Sequence, residues 1–186
     1  LRDRLTKVLS GARRSAHLVH QLLSLARNEV EVKLRPLDVA TLARDVAREW
    51  TPRALKAGVD LGFEGADHLS VVGEPLLLRE ALNNLIDNAL TYAGTGSEVT
   101  LKVQAQGSQV LLEVADNGPG LSPSDLPRVF ERFWRASDLP GGCGLGLAIV
   151  AEIALRHGGR AKVSAAQPHG LRVQLLFPLG ISVIPE

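Results

Sequence analysis

Residues 97–118 read SEVTLKVQAQGSQVLLEVADNG. Two runs of alternating or wholly apolar residues flank Gly107-Ser108, which is the signal of a β-hairpin with a two-residue turn. An antiparallel pair in the middle of the chain argues against a repeating strand–helix–parallel-strand plan. The neighbouring segments agree. Upstream, about Pro75 to Tyr92 has helical spacing, with Leu78, Leu82, Leu85 and Ala89 on one side and Pro75 allowed in the first turn. Before that, GVDLGFEG and HLSVVG read as short strands, and DVATLARDVAREW as a helix. Asp38 can cap that helix, and Val39, Leu42, Val46 and Trp50 share one of its faces. Downstream, SPSDLPRVFERF predicts a short capped helix and a turn, and LGLAIVAEIALRHG a helix closed by His157 and Gly158. RAKVSAA and LRVQLLFPL are two last strands around a turn at Pro168 to Gly170. Helices alternating with mostly antiparallel strands predict an α+β domain, a two-layer sandwich of helices on one sheet.

Residues 1–30 carry a different pattern. Leu5, Leu9, Ala12, Ala16, Val19, Leu23 and Ala26 follow at alternating spacings of four and three, a heptad seam that Leu18, Leu22 and Leu25 widen. An amphipathic helix lying on its own domain would show part of this stripe. The added breadth predicts instead a long coiled-coil-like helix that belongs to a bundle. It ends in ARNEVEVKLRPL, where the period shifts towards alternation and Pro36 breaks it. The expected boundaries are a helical segment over 1–30 and a main domain over 31–186. Leu1 opens in mid-pattern, so the chain is expected to be a piece of a larger protein.

Composition removes several classes of function. Twenty-one Lys and Arg against twenty Asp and Glu leave a formal charge of +1, without the basic excess of a nucleic-acid binder. Cys143 is the single cysteine, which excludes an internal disulfide, argues against a cysteine zinc site and fits a reducing compartment. No apolar run in the sequence is long enough to span a bilayer, and no signal peptide opens it.

Three polar features interrupt the apolar pattern. Asn84 and Asn88 in EALNNLIDNALTYA lie one helical turn apart on one face, although asparagine is a poor helix former. Amide oxygens there can coordinate a hard cation and amide N–H groups can donate to phosphate, or the pair can be solvated surface amides. EVADNGPG ends an apolar strand in Asp116, followed by Gly118 and Gly120. A carboxylate there can accept from an exocyclic amine beside space for a flat ring, or the motif is an ordinary Asp-Asn-Gly turn. GGCGLGLAIV, residues 141–150, sets four glycines ahead of a helix, where exposed N–H groups and the helix dipole suit phosphate. A merely flexible loop is the alternative. The spacing fits neither a P-loop nor a dinucleotide-binding fingerprint, and no hydrolase elbow is present.

In order, the chain therefore offers an N-x-x-x-N helix, a D-x-G-x-G turn, the aromatic and basic VFERFWR, and G-x-G-L-G-L-A-I-V. This combination, over about Leu37 to Pro178, resembles the catalytic ATP-binding domain of bacterial sensor histidine kinases, of the Bergerat or GHKL fold. Residues 1–30, ending LVHQLLSLAR, resemble the second helix of their dimerisation and histidine-phosphotransfer hairpin. The resemblance implies that Asp116 bonds the adenine amino group while Gly118 and Gly120 shape its pocket. It implies that Asn88 holds Mg2+ bridging the phosphates, with Asn84 polarising the phosphate end and Tyr92 packing on the base or ribose. Arg132 and Phe133, with Phe130, would belong to the segment anchoring a mobile ATP lid, and Arg132 could approach the γ-phosphate. Gly142, Gly144 and Gly146, with Leu145 and Leu147 between and after them, would end that lid and cradle the phosphates. Thr91 stands where many relatives have lysine, and the lid segment RASDLPGG is short for the family.

The resemblance further implies a two-component histidine kinase with ATP and Mg2+ as cofactors and a response regulator as partner. It implies a homodimer through the first helix, and a cytoplasmic portion of an inner-membrane sensor. An alternative is a kinase-like nucleotide-binding module that works through protein contacts alone. ATPases and topoisomerases that share the fold use a glutamate where Asn84 stands, and an amide cannot take the proton of an attacking water, which favours phosphoryl transfer to a side chain. The family's acceptor motif, of the H-E-[LF]-R-T-P type, does not occur in the sequence. His17 and His20 lack its flanking acid and proline, and His68, His157 and His169 read as structural.

Overall fold

The computed structural model describes residues 33–136 and 143–179. The heptad seam of residues 1–30 and the glycine Gly142 lie outside the described residues. In chain order the elements are β1 (Arg35–Asp38), α1 (Val39–Ala57), β2 (Asp60–Gly65), β3 (Ser70–Gly73), α2 (Pro75–Tyr92), β4 (Glu98–Gln106), β5 (Gln109–Asp116), α3 (Gly146–Arg156), β6 (Arg160–Ala165) and β7 (Leu171–Pro178). Among the described residues between β5 and α3 there is one 3-10 turn, Leu126–Arg128.

The hairpin is β4–β5, in register from Val99 opposite Asp116 to Gln106 opposite Gln109. It forms the centre of a five-stranded sheet ordered β2-β4-β5-β7-β6. All its pairs are antiparallel except β2–β4, which is parallel because β3 and α2 intervene as a crossover. Alternate residues of the strands, among them Leu101, Val103, Leu112, Val114, Leu175 and Phe177, point into one core with Val46 of α1, Leu78, Leu82, Leu85 and Ile86 of α2, and Ile149 and Ile153 of α3. This is the expected α+β arrangement of two layers.

Local chemistry sets the helix ends. Asp38 accepts from the N–H groups of Ala40 (3.1 Å) and Thr41 (3.2 Å), two of the donors a helix start leaves unpaired. α1 continues past Trp50 and through Pro52 to Ala57, further than DVATLARDVAREW implies. Pro52 and Arg48, whose carbonyl loses its donor, both lie on the exposed side, where water can replace the bond. Gly58, at φ 70°, closes the helix. Pro75 occupies the first turn of α2, and the Glu74 carboxylate accepts from Leu77 N–H at 2.7 Å.

Two local expectations need correction. Pro36 does not break the strand-like alternation: it lies within β1, opposite Val72 in a two-stranded pair, where the edge position tolerates a residue without a donor. SPSDLPRVFERF forms only the one 3-10 turn and has no side-chain cap. The Asp125 carboxylate that could have capped it accepts instead from the Ser122 hydroxyl at 2.8 Å. Among the described residues no helix is long and apolar enough to cross a membrane.

Candidate nucleotide site

Helix α2 is the spine of the site. Burying a leucine side chain is worth about 1.5–3 kcal/mol, and most of the inner face of α2 takes that gain. Asn84 forgoes it. It is 8% exposed, between Ala81 and Leu85, which are buried as well. Its Nδ2 donates to the Glu80 carbonyl at 3.0 Å. Its Oδ1 faces the start of α3, since a Cβ built on Gly146 would stand 3.4 Å from that oxygen. Asn88 and Tyr92, one and two turns further on, are half-buried. Asn83, adjacent in sequence, faces elsewhere: its Oδ1 accepts from Trp50 Nε1 at 2.8 Å.

The D-x-G-x-G turn packs against the C-terminal end of α2. Gly118 leaves no room for a side chain, because a Cβ there would lie 2.6 Å from the Ala93 Cα. Asp116 ends β5, and its Oδ1 accepts from the N–H groups of Gly118 (2.9 Å) and Leu171 (3.3 Å). Burial pushes its carboxyl above the ordinary range, and these two hydrogen bonds oppose that without cancelling it. Gly120, at φ 69°, closes on the Gly170 carbonyl, and a Cβ on Gly170 would collide with the Asp116 carbonyl. Asn117 Oδ1 accepts from Glu98 N–H at 2.7 Å, and His169 Nδ1 donates to the Gly118 carbonyl at 3.1 Å. Beside this turn lies an open depression of about 420 Å³, lined in part by Ala93, Gly96, Asn117, Gly118 and His169.

The third feature reaches α2 at Asn84. Phe133 N–H donates to the Gly144 carbonyl at 2.8 Å, joining the aromatic segment to the glycine segment. Gly144 has φ 71°, and a Cβ there would meet the Phe133 carbonyl carbon at 2.6 Å and the Trp134 oxygen at 2.7 Å. Phe133 itself has φ 65°, unusual for a large side chain, and the residue is 66% exposed. Val129 is buried and Phe130 packs on the core, so they root this segment, whereas Arg132 is exposed. Leu145 is buried at the N-cap of α3, makes no side-chain cap, and its carbonyl accepts from Ile149 N–H at 2.9 Å. Leu147 is half-buried against the core. The first amides of α3 thus have no cap from Leu145, the arrangement that receives anions in many proteins.

The three features converge on one helix. The Asp116 turn touches its end, Gly146 touches Asn84 in its middle, and Asn88 and Tyr92 lie between. Leu171 N–H and Gly170, which hold Asp116, have no signal in the sequence near that residue. Among the described residues no group of three His, Cys, Asp or Glu could hold a metal. The amide oxygens of Asn84 and Asn88 are hard donors that suit Mg2+ when phosphates and waters complete its octahedron. The donor set fits an ion arriving with a nucleotide and not an ion held by protein alone.

A model of the histidine kinase-, DNA gyrase B-, and HSP90-like ATPases matches residues 73–181, more than half of the chain. The chain belongs to that ATPase family. Among curated proteins it is similar to the sensor-like histidine kinase SenX3 of Mycobacterium tuberculosis, 34% identical over 179 residues, covering 92% of this chain and 44% of SenX3. Among solved structures it is similar to full-length ShkA in complex with AMPPNP, with TM-score 0.84 and 29% identity, covering all of this chain and 40% of ShkA. The histidine kinase ThkA, crystallised with the response regulator protein TrrA, shares the fold at TM-score 0.75 and 19% identity, over 91% of this chain and 49% of that one. The chain spans less than half the length of the curated relatives it matches. What it shares with them is the catalytic ATPase domain of a two-component histidine kinase.

Proposed function

We propose that the chain binds Mg2+-ATP and transfers the γ-phosphoryl group to a histidine on a helix outside the main domain. The observation that carries this is the convergence of the Asp116 turn, Asn84 and Asn88, and the start of α3 on the C-terminal end and the middle of one helix. In this reading Asp116 accepts from the adenine amine, and Gly118 and Gly120 let the base approach the backbone. Tyr92 packs on the base or ribose. Gly142, Gly144 and Gly146, with Leu145 and Leu147, end the ATP lid and with the start of α3 cradle the phosphates, and Phe133 and Arg132 belong to the segment that anchors the lid. Asn88 would hold Mg2+, which offsets the phosphate charge, and Asn84 would orient the phosphate end.

An imidazole nitrogen attacks the γ-phosphorus, the bond to the ADP oxygen breaks, and ADP leaves. Asn84 favours this over hydrolysis, because an amide cannot serve as base towards water. Catalysis then rests on positioning and on charge stabilisation. The phosphohistidine would pass its phosphoryl group to an aspartate of a response regulator. The heptad seam of residues 1–30 supports dimerisation through that helix, and the resemblance to sensor kinases supports a cytoplasmic place beneath an inner-membrane sensor. Calorimetric titration of the chain with ADP, with and without Mg2+, tests the binding step. Saturable binding that Mg2+ strengthens is expected; no binding at millimolar ADP would overturn the assignment.

A further inference from the structure

His157 closes α3 and reaches the beginning of α2. The residue is 4% exposed. Nδ1 lies 2.7 Å from the Ile153 carbonyl, and Nε2 lies 3.0 Å from the Glu74 N–H. A carbonyl only accepts and an amide N–H only donates, so the ring is neutral with its proton on Nδ1. Phe177 packs edge-on against it, 6.0 Å between centroids. Gly73 packs against the ring: a Cβ there would lie 2.7 Å from Leu78 Cδ1 and 3.1 Å from His157 Cδ2.

Glu74 is joined to both helices. Its side chain caps α2 at Leu77, and its backbone N–H is received by His157 at the end of α3. The same two helices meet again where Gly146, at the start of α3, faces Asn84. α3 has eleven residues and so is about 16 Å long. A rod of that length, held at its far end, carries any tilt at His157 to Gly146.

We propose that His157 is a positioning residue for nucleotide binding, a latch that keeps the start of α3 set against Asn84 and Asn88 only while its ring is neutral. The proposal rests on the reading of the α2–α3 junction as the phosphate site. Protonation removes the acceptor for Glu74 N–H and sets a second donor against it. Among the described residues, the charged groups acting on the ring are Glu74, from the β3–α2 junction, and Arg156, from α3, itself paired with Glu152 at 3.2 Å. β7 and the body of α2 present Phe177 and Leu78, which are apolar. Burial holds the His157 pKa below the ordinary histidine value; the hydrogen bond to Ile153 and the Glu74 charge oppose this, and Arg156 reinforces it. A lowered folded pKa means that the latch is complete above the ordinary histidine range and is lost as the pH falls.

The test follows the His157 ring by NMR in the whole chain between about pH 5 and 8, with and without saturating Mg2+-ADP, beside calorimetric ADP affinities. ADP should move protonation of His157 to lower pH, because coupling between two equilibria is reciprocal. ADP affinity should fall about fivefold or more on acidification. In His157→Gln, whose side-chain oxygen can accept from Glu74 N–H without titrating, that fall should shrink. A His157 titration that ADP leaves unmoved, while ADP still binds, overturns the proposal. It makes His157 a structural residue alone. Absence of ADP binding at neutral pH instead overturns the reading of the site. If His157→Gln does not fold, the wild-type ring titration decides by itself.

Discussion

Asp116→Asn separates binding from folding. Asp116 Oδ1 already accepts from Gly118 and Leu171 N–H, and asparagine keeps an oxygen in that place. What changes is the second oxygen, which becomes an N–H2 group. Towards the adenine amine, an ionised acceptor is replaced by a donor facing a donor. A hydrogen bond to a charged group is worth about 1.5–3 kcal/mol, and about 1.4 kcal/mol is tenfold in affinity. ADP binding should therefore weaken by about tenfold to a hundredfold. The fold should not suffer. The carboxyl has its pKa raised by burial, so its ionised form costs stability at any pH above its unfolded value. Neutralising it removes that cost. Calorimetry with ADP and a thermal melt of the ligand-free chain give both numbers. Equal ADP affinity in the two proteins would refute the adenine assignment. Weaker binding together with a much lower melting temperature would refute the claim that Asp116 acts on the ligand and not on the turn.

Asn88→Ala should leave the melting temperature nearly unchanged, since the residue is only half-buried, while the gain in ADP affinity from Mg2+ disappears; titrations with and without Mg2+ measure this. Gly118→Ala forces a Cβ to 2.6 Å from the Ala93 Cα and should cost about 1–3 kcal/mol of stability, read by urea denaturation, with loss of ADP binding. Asp38→Ala removes the cap of α1 and should cost about 0.5–2 kcal/mol. Burial raises the Asp38 pKa, but hydrogen bonds from His68, Thr41 and Leu69 outweigh it and hold the carboxyl well below the usual range. Its contribution is thus present above the ordinary aspartate pKa and is lost as the pH falls further, so the variant should lose part of the acid sensitivity of unfolding. Leu23→Glu, in a protein carrying the whole hairpin, sets an unpaired charge in the seam and should weaken self-association by sedimentation without changing ADP affinity.

The parts legible in the sequence are those whose cause is local. The hairpin follows from alternation on both sides of Gly107-Ser108, and α2 from the spacing of Leu78, Leu82, Leu85 and Ala89. Asn84, Asn88, Asp116 and the glycines stand out because they break an apolar period or need special backbone. Contacts across the fold have no such trace. The grip of Leu171 N–H on Asp116 spans fifty-five residues, and that of His157 on Glu74 eighty-three. His157 reads as an ordinary helix end until the start of α2 is seen against it. Pro52 misleads in the other direction. It marks a break by its chemistry, yet α1 passes through it because the freed carbonyl lies on the solvent side.

Transfer of the γ-phosphoryl group to a histidine held by another helix can be followed directly. The direct measurement is incubation of the chain with Mg2+ and ATP labelled on the γ-phosphate, alone and with a separately made hairpin that carries an acceptor histidine. Label on the hairpin histidine, acid-labile and transferable to a response regulator aspartate, with none on the chain alone, is the predicted result. Stoichiometric phosphohistidine at His17 or His20, or release of inorganic phosphate without any labelled protein, would contradict it.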